Sequence, residues 1–150
     1  MITLTRKAFT VTATAVTLVA GLAGTASATD GMTFFNRGTQ SCMRVTANST
    51  VGSPVLVGTC GVTESLWQPV GIDGALRNAA NGLCLEVPSG GGYAFLQTCG
   101  GRMQAMDIDT PGNVFVTNDP DSRLLEADTA TGRVRSAEIT GEQNQSWAFH

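Results

Sequence analysis

The fold is first indicated by a four-residue stretch, Cys84-Leu85-Glu86-Val87, that occurs in three related versions. The other two versions are Cys42-Met43-Arg44-Val45 and Leu124-Leu125-Glu126-Ala127. Each version begins six residues after an asparagine, and these asparagines are Asn36, Asn78 and Asn118. Because the asparagines are 42 and then 40 residues apart, the pattern predicts a repeat architecture with a period near 40 residues.

A second register supports the repeat. A strand-like run follows each stretch, at 55–60, 93–99 and 134–140, and a large apolar residue stands seven positions beyond each run. These apolar residues are Trp67, Met106 and Trp147. Since the three gaps are equal, we interpret the repeat as threefold and expect the three side chains to occupy corresponding places in the core.

The local patterns within each repeat indicate β-structure. Short alternating runs are separated by turn formers, and no stretch shows a sustained helical period. The turn formers are Asp73-Gly74, Pro88-Ser89-Gly90, Pro111-Gly112-Asn113, Asp119-Pro120 and Thr131-Gly132. Asp73-Gly74 is a candidate hairpin turn. About four strands per repeat give roughly twelve in all, and closing a barrel would protect their edges. We therefore expect the strand at 33–36 to pair with the strand at 147–149.

The first 28 residues have the three regions of a secretory signal peptide. Arg6 and Lys7 are followed by an apolar stretch at 8–24 and by the A-x-A cleavage pattern Ala26-Ser27-Ala28. The apolar stretch is too short and too interrupted for a membrane span. This predicts that residues 1–28 are removed and that residues 29–150 form one secreted, extracellular domain.

The charge of residues 29–150 excludes several classes of function. This part has 7 Arg, no Lys and 12 acidic residues, so its net charge is −5. An acidic chain argues against nucleic acid or an anionic membrane as the partner. The one histidine, His150, is the last residue, so histidine-based catalysis and histidine zinc sites have no support. We expect no metal, no cofactor and a monomer.

The cysteines predict disulfides. Cys42, Cys60, Cys84 and Cys99 form an even set behind the predicted leader, and no CxxC motif is present. Four cysteines permit three pairings, of which the repeat favours the sequential one, Cys42–Cys60 with Cys84–Cys99.

Taken together, these motifs resemble the ricin B-chain type of β-trefoil. Gln145-Ser146-Trp147 is a complete Q-x-W motif, Ser65-Leu66-Trp67 retains the Trp, and Gln104-Ala105-Met106 retains the Gln. The resemblance covers residues 29–150, with repeats at about 32–71, 72–112 and 113–150. It implies an all-β β-trefoil with pseudo-threefold symmetry and one disulfide per repeat. Leu124 and Thr140 hold the equivalent positions in the third repeat, where packing is expected to replace the bridge.

The same resemblance implies shallow pockets for galactose-like or xylan-type sugars, one per repeat. In the family pattern a carboxylate lies two residues after the first Cys, where it accepts hydrogen bonds from hydroxyls. An aromatic ring two residues before the second Cys stacks on the sugar, and an Asn precedes the Q-x-W. The three sets in this sequence are Arg44, Gly58 and Glu64; Glu86, Gln97 and Met103; and Glu126, Glu138 and Asn144, followed by Gln145.

The third repeat retains most of this pattern. In the first repeat, Arg44 cannot accept a hydrogen bond from a sugar hydroxyl and Gly58 has no ring to stack on the sugar. We therefore expect Glu126 and Asn144 to be the main sugar ligands, with Gln145 and Glu86 as further candidates. A structural alternative is that Asn144 and Gln145 only hydrogen-bond the backbone of a tight turn. Tyr93 and Phe95 share one face of a strand, and that face is a candidate for the core.

The sequence thus predicts a secreted, non-catalytic, lectin-like protein with partly degenerate sugar pockets. The alternative is a disulfide-stabilised trefoil scaffold whose loops bind another protein, as an inhibitor or effector. Glu126 and Glu138 are a carboxylate pair of the kind that glycosidases use, but nothing in the sequence places them across a cleft, and we expect no catalytic residues.

Overall fold

A computed structural model of the chain describes residues 31–71, 73–109, 112–116 and 121–150. The expected leader at 1–28, the turn residues Pro111, Asp119 and Pro120, and the third asparagine, Asn118, lie outside the described residues. In the described part no helix is long and apolar enough to cross a membrane.

The described residues form 13 β-strands and three single 3₁₀ turns, close to the expected twelve strands. The strands are Met32–Asn36 (β1), Ser41–Arg44 (β2), Leu56–Gly58 (β3), Leu66–Val70 (β4), Ala75–Asn78 (β5), Cys84–Glu86 (β6), Gly92–Tyr93 (β7), Phe95–Gln97 (β8), Met106–Asp109 (β9), Asn113–Val116 (β10), Leu124–Asp128 (β11), Arg133–Ala137 (β12) and Trp147–Phe149 (β13). The 3₁₀ turns are Thr63–Ser65, Arg102–Gln104 and Gln143–Gln145. Each turn ends at the first residue of a Q-x-W position.

The first and last strands pair, as expected for a closed sheet. β1 lies antiparallel to β13, with Phe34 opposite Phe149 and Asn36 opposite Trp147. The rings of Phe34 and Phe149 meet edge to face, with centroids 5.1 Å apart. Because β1 also pairs with β2 and β4, it joins the end of the chain to the first repeat.

A cycle of backbone hydrogen bonds lies at the pseudo-threefold axis. The N–H of Val55 donates to the carbonyl of Ala94, Ala94 donates to Val134, and Val134 donates back to Val55, at 3.1, 2.8 and 2.9 Å. All three side chains are buried. Each repeat contributes one member, so the cycle satisfies backbone groups of three buried residues at once. Val55, Ala94 and Val134 are thus equivalent positions.

The core contains the apolar residues of the Q-x-W positions. Trp67, Met106 and Trp147 are all buried, which confirms the expectation for these residues. The indole N–H of Trp67 donates to the Met43 carbonyl at 3.0 Å, and that of Trp147 donates to Leu125 at 2.9 Å. The two bonds join equivalent residues, and each gives a buried indole N–H its partner.

The repeat asparagines join one repeat to the preceding one around the barrel. The side-chain amide of Asn36 donates to the Asn144 carbonyl at 2.8 Å, and that of Asn78 donates to the Glu64 carbonyl at 3.0 Å. Both asparagines are fully buried. The acceptors lie at equivalent positions in the 3₁₀ turns, so this spacing in the sequence reflects contacts between repeats.

Two glycines allow the backbone to pass close to the last strands of the repeats. Gly74, in the hairpin between β4 and β5, has a φ of +68°, and a Cβ there would collide with the Met106 carbonyl oxygen. Gly112 has a φ of +122°, and a Cβ there would collide with the Trp147 carbonyl oxygen. Only glycine combines a positive φ with so close an approach.

Both expected disulfides are present. Cys42–Cys60 and Cys84–Cys99 each join Cα atoms 5.0 Å apart, and no free cysteine remains. Disulfides of this kind form and persist in oxidising environments.

Candidate functional site

The three positions that the family pattern assigns to the sugar-binding carboxylate lie on equivalent strands. They are Arg44 on β2, Glu86 on β6 and Glu126 on β11, and each faces a residue of the next strand in the sheet. The cross-strand partners are Leu56, Phe95 and Arg135 respectively. Side chains of directly opposed residues lie on the same face and interact, so the partner decides what each site can do.

In the third repeat the Glu126 carboxylate is bound by donors of the protein itself. Nε and Nη2 of Arg135 donate to Glu126 Oε1 at 2.9 and 2.6 Å, and Nε2 of Gln145 donates to Oε2 at 2.9 Å. Glu126 is only 5% exposed. The bonds to Glu126 raise the pKa of the Arg135 guanidinium above its ordinary value. Both carboxylate oxygens are therefore engaged without a ligand.

Gln145 and Asn144 have different surroundings. Besides bonding Glu126, Gln145 donates to the Glu138 carbonyl at 2.6 Å and accepts from the Thr140 N–H at 2.9 Å. Gln145 is buried. Its hydrogen bonds connect strand β11 with the loop that precedes the 3₁₀ turn. Asn144 donates to the Ala127 carbonyl at 3.3 Å, and its Oδ1 atom is buried without a hydrogen-bond partner. Both amides thus bond the protein itself, but not only the backbone of a turn, because Gln145 also donates to the Glu126 carboxylate.

In the second repeat the carboxylate is more open. Gln104 Nε2 donates to Glu86 Oε2 at 3.1 Å, while Glu86 Oε1 has no hydrogen-bond partner in the described part of the chain. Glu86 is half-buried. A Cβ at Gly101 would lie 2.9 Å from Glu86 Oε2, so the absence of a side chain there leaves room for the carboxylate. Gln104 also accepts from the N–H groups of Gly100 and Gly101.

An aromatic ring accompanies Glu86. Phe95 on β8 is its cross-strand partner, and Gln97 lies two residues further along the same face. The expectation that Tyr93 and Phe95 could face the core is wrong: both are half-buried, whereas Ala94 and Leu96 between and beyond them are fully buried. The residue between them that is buried is Ala94, which lies between β7 and β8 and belongs to the hydrogen-bond cycle at the axis.

The site of the first repeat is covered by its own arginine. A Cβ at Gly58 would lie 2.8 Å from Arg44 Cδ, so the Arg44 stem occupies the space beside this glycine. Arg44 Nε donates to the Val45 carbonyl at 3.1 Å. No acceptor for a sugar hydroxyl replaces the missing carboxylate at this position.

The sheet register corrects two assignments in the third repeat. Gly58 and Gln97 lie opposite Cys42 and Cys84, but the residue opposite Leu124 is Ala137, not Glu138. Ile139, not Thr140, therefore corresponds to the second cysteine. The shift arises because the third repeat has one more residue than the other two in the loop after β12, and not within the strand itself. The equal fifteen-residue separations of Leu124 from Ile139 and of Cys84 from Cys99 are a signal that could have shown this.

The same register shows which residues stand where the third repeat lacks a disulfide. Leu124 is buried, but Thr140 is exposed and Ile139 is 60% exposed. Packing in the core is therefore found only at the position of the first cysteine, Leu124, and not at the position of the second. The loop is held instead by the bonds of Gln145 to Glu138 and Thr140.

A polar cluster that the sequence did not indicate lies beside the third repeat. The Tyr93 hydroxyl donates to Asp128 Oδ2 at 2.7 Å, and the Thr131 hydroxyl donates to the same atom at 2.9 Å. Chiefly through these bonds, the pKa of the Asp128 carboxyl falls to about 2. The Arg133 guanidinium stacks on the Tyr93 ring, with Cζ 4.1 Å from the centroid. Tyr93 reaches this cluster only because β7 pairs with β12.

The described residues contain no group of three or more His, Cys, Asp or Glu side chains that could hold a metal ion. No protein-family model matches the chain, and no curated protein sequence matches it.

Several solved structures are similar to the chain. One is the designed threefold-symmetric protein ThreeFoil, with a TM-score of 0.68 and 21% identity over 80% of this chain and 98% of that chain. Another is the C-half of an earthworm R-type lectin in complex with GalNAc, with a TM-score of 0.64 and 13% identity over 80% and 98%. The agglutinin from Abrus precatorius has a TM-score of 0.66 and 18% identity over 79% of this chain and 47% of its own. The chain therefore has the β-trefoil fold that R-type lectin domains share with a designed threefold protein.

Proposed function

We propose that the protein is a non-catalytic carbohydrate-binding protein and that its sugar site is in the second repeat, at Glu86. The observation that carries this proposal is the state of the Glu86 carboxylate: one oxygen is held by Gln104 and the other has no partner in the described chain. Glu126, the expected ligand of the third repeat, has both oxygens bound by the protein. A sugar hydroxyl would have to displace Arg135 to reach it.

The chemistry at Glu86 suits a neutral sugar. A carboxylate oxygen accepts charge-assisted hydrogen bonds from hydroxyls. Gln104 fixes the orientation of this carboxylate, and the half-buried Phe95 ring on the facing strand offers an apolar surface for the C–H face of a sugar. Gln97 Oε1 accepts from the Thr98 N–H at 3.0 Å, and the amide nitrogen of Gln97 can donate to a further hydroxyl.

The comparisons support this proposal through the fold. The similar earthworm lectin domain was solved with GalNAc bound, and we extend sugar binding of the galactose or xylan type to this chain on the residues above. A trefoil scaffold that binds another protein remains the alternative function, because a fold alone does not determine a function.

We further propose that the chain is exported and acts outside the cell as a monomer. The pattern of residues 1–28 and the two disulfides support export to an oxidising compartment. Sequencing the N-terminus of the protein recovered from culture medium tests this: Thr29 as the first residue is the expected result, and an intact Met1 would contradict it.

The sugar site is tested by binding of galactose, GalNAc and xylo-oligosaccharides to the purified protein, measured by calorimetry. Glu86→Gln should weaken binding about tenfold or more, the loss of one hydrogen bond to a charged group. Gly101→Ala should also weaken it, because the new Cβ displaces the carboxylate.

Glu126→Gln is the matched control, since Glu126 holds the equivalent position in a closed site, and it should bind like the wild type. Loss of binding in Glu126→Gln but not in Glu86→Gln would overturn the assignment to the second repeat. Absence of binding to any sugar would favour the scaffold function. Incubation with the bound oligosaccharide should release no shorter product.

A further inference from the structure

The outer face around the pseudo-threefold axis carries a row of side chains with an unusual charge arrangement. Leu56 on β3 has two cross-strand partners, Arg44 on β2 and Arg133 on β12. All three are half-buried and lie on the face opposite the buried Val55 and Val134. We call Arg44, Leu56 and Arg133 the arginine row. Because neighbouring strands are 4.7–4.9 Å apart, the Cα atoms of its two arginines are about 10 Å apart.

Neither arginine of the row forms an ion pair with an acidic side chain in the described part of the chain. Arg44 Nε donates only to the Val45 carbonyl. Arg133 stacks on Tyr93, and its Nε atom is buried with no hydrogen-bond partner. A desolvated donor on a cation without a counter-charge is costly. The row therefore differs from Arg135, which is fully paired with Glu126.

The acid nearest to Arg133 in the sheet is committed elsewhere. Asp128 is the cross-strand partner of Arg133, but its Oδ2 accepts from Tyr93 and Thr131 and its Oδ1 accepts from the Ala130 N–H. With these three donors, Asp128 is satisfied without the guanidinium. The Arg133 guanidinium instead lies over the Tyr93 ring.

The chemistry of the row points to an anionic ligand with apolar faces. A guanidinium binds carboxylate or sulfate through parallel hydrogen bonds. Leu56 between the two arginines offers apolar area of the kind that the C–H faces of a sugar contact. Two arginines whose Cα atoms are about 10 Å apart match a chain with repeated acidic groups better than a single small anion. The overall charge of −5 for residues 29–150 makes this row a local exception.

We propose that the arginine row binds an acidic polysaccharide, through carboxylate groups on successive sugar units. This inference deepens the proposed function, on which it rests, by adding an acidic ligand class at a place separate from Glu86. Arg44 supplies the hydrogen-bond donors at one end, Arg133 supplies those at the other, and Leu56 contacts the sugar ring between them. Electrostatic binding of this kind weakens as the salt concentration rises.

The test compares polygalacturonate with its methyl ester, which has the same backbone without charge. Polygalacturonate embedded in a native gel should retard the purified protein in affinity electrophoresis, and the embedded methyl ester should not. Arg44→Gln and Arg133→Gln should each weaken binding about tenfold, the expected effect of one charge-assisted contact. Arg77→Gln is the matched control, because Arg77 is exposed and hydrogen-bonds Gln68 on a different part of the sheet.

Arg44→Gln leaves the stacking of Arg133 on Tyr93 intact, so it tests the row even where Arg133→Gln proves unstable. Equal binding of the polymer and its ester, or unchanged binding in Arg44→Gln, would overturn the proposal, as would binding to anionic phospholipid vesicles alone. Glu86→Gln should leave polygalacturonate binding unchanged. If the proposed function fails, neutral sugars should not bind while the acidic polymer still does. If this inference fails, neutral sugars should bind while the acidic polymer does not.

Discussion

Glu126 and Arg135 are cross-strand partners on β11 and β12, and two guanidinium nitrogens donate to one carboxylate oxygen, at 2.9 and 2.6 Å. The second carboxylate oxygen accepts from Gln145. In the second repeat Phe95 takes the place of Arg135, and Glu86 keeps an oxygen without a partner. A single difference between equivalent strand positions thus distinguishes a closed site from an open one.

Arg135→Ala tests this closure through stability. The variant leaves the 5% exposed Glu126 with an unpaired charge, and we expect the free energy of unfolding to fall by about 2 kcal/mol. Urea denaturation followed by the fluorescence of Trp67 and Trp147 measures it. The double variant Arg135→Ala/Glu126→Gln removes the charge and should recover part of the loss. A double variant as unstable as the single one would contradict the explanation.

Gln145→Leu and Gln104→Leu compare the two amides at equivalent positions. Gln145 contacts a buried carboxylate, whereas Gln104 contacts a half-buried one that can turn to water. We therefore expect Gln145→Leu to lower the free energy of unfolding by about 3 kcal/mol and Gln104→Leu by about half as much. Thermal unfolding gives both values under the same conditions. The reverse order would mean that burial of the carboxylate does not determine the cost.

The corrected register predicts where a third disulfide can form. Leu124→Cys combined with Ile139→Cys should cross-link, because this pair corresponds to Cys84 and Cys99. Closing a fifteen-residue loop should stabilise the protein by about 3 kcal/mol in the chain-entropy model. Thiol titration and the mass of the unreduced protein detect the bond. Leu124→Cys with Thr140→Cys is the control; preferential cross-linking of this second pair would contradict the register.

Tyr93→Phe tests the depressed pKa of Asp128. Folding lowers the pKa of this carboxyl from 3.8 to about 2, with the Tyr93 hydroxyl as the main cause. The resulting stabilisation is therefore complete above the unfolded pKa and is lost as the pH falls through the folded one. We expect Tyr93→Phe to cost about 1 kcal/mol at neutral pH. This difference should shrink as the pH falls from 3.8 toward about 2.

The measurement is urea denaturation of both proteins across this pH range. In an Asp128→Asn background the Tyr93→Phe difference should no longer depend on pH, because the titrating group is absent. A pH-dependent difference that persists in that background would assign the effect to another carboxyl.

Much of the fold could be predicted from the repeat. The Q-x-W residues, the sequential disulfides and the pairing of the first and last strands follow from registers that recur along the chain, and the structure confirms each of them. Recurring registers are informative because equivalent residues of a symmetric fold meet the same surroundings. The family pattern also led to Glu86 and Glu126 as carboxylates on equivalent strands.

The sequence by itself determined the threefold β architecture, because buried residues and turn formers recur periodically along the chain. Only the tertiary structure decided which carboxylate stays open, since Arg135 and Phe95 face Glu126 and Glu86 through the pairing of separate strands. It also brought Tyr93 beside Asp128 and Arg133. Such contacts depend on cross-strand partners, which local patterns do not specify to the single residue.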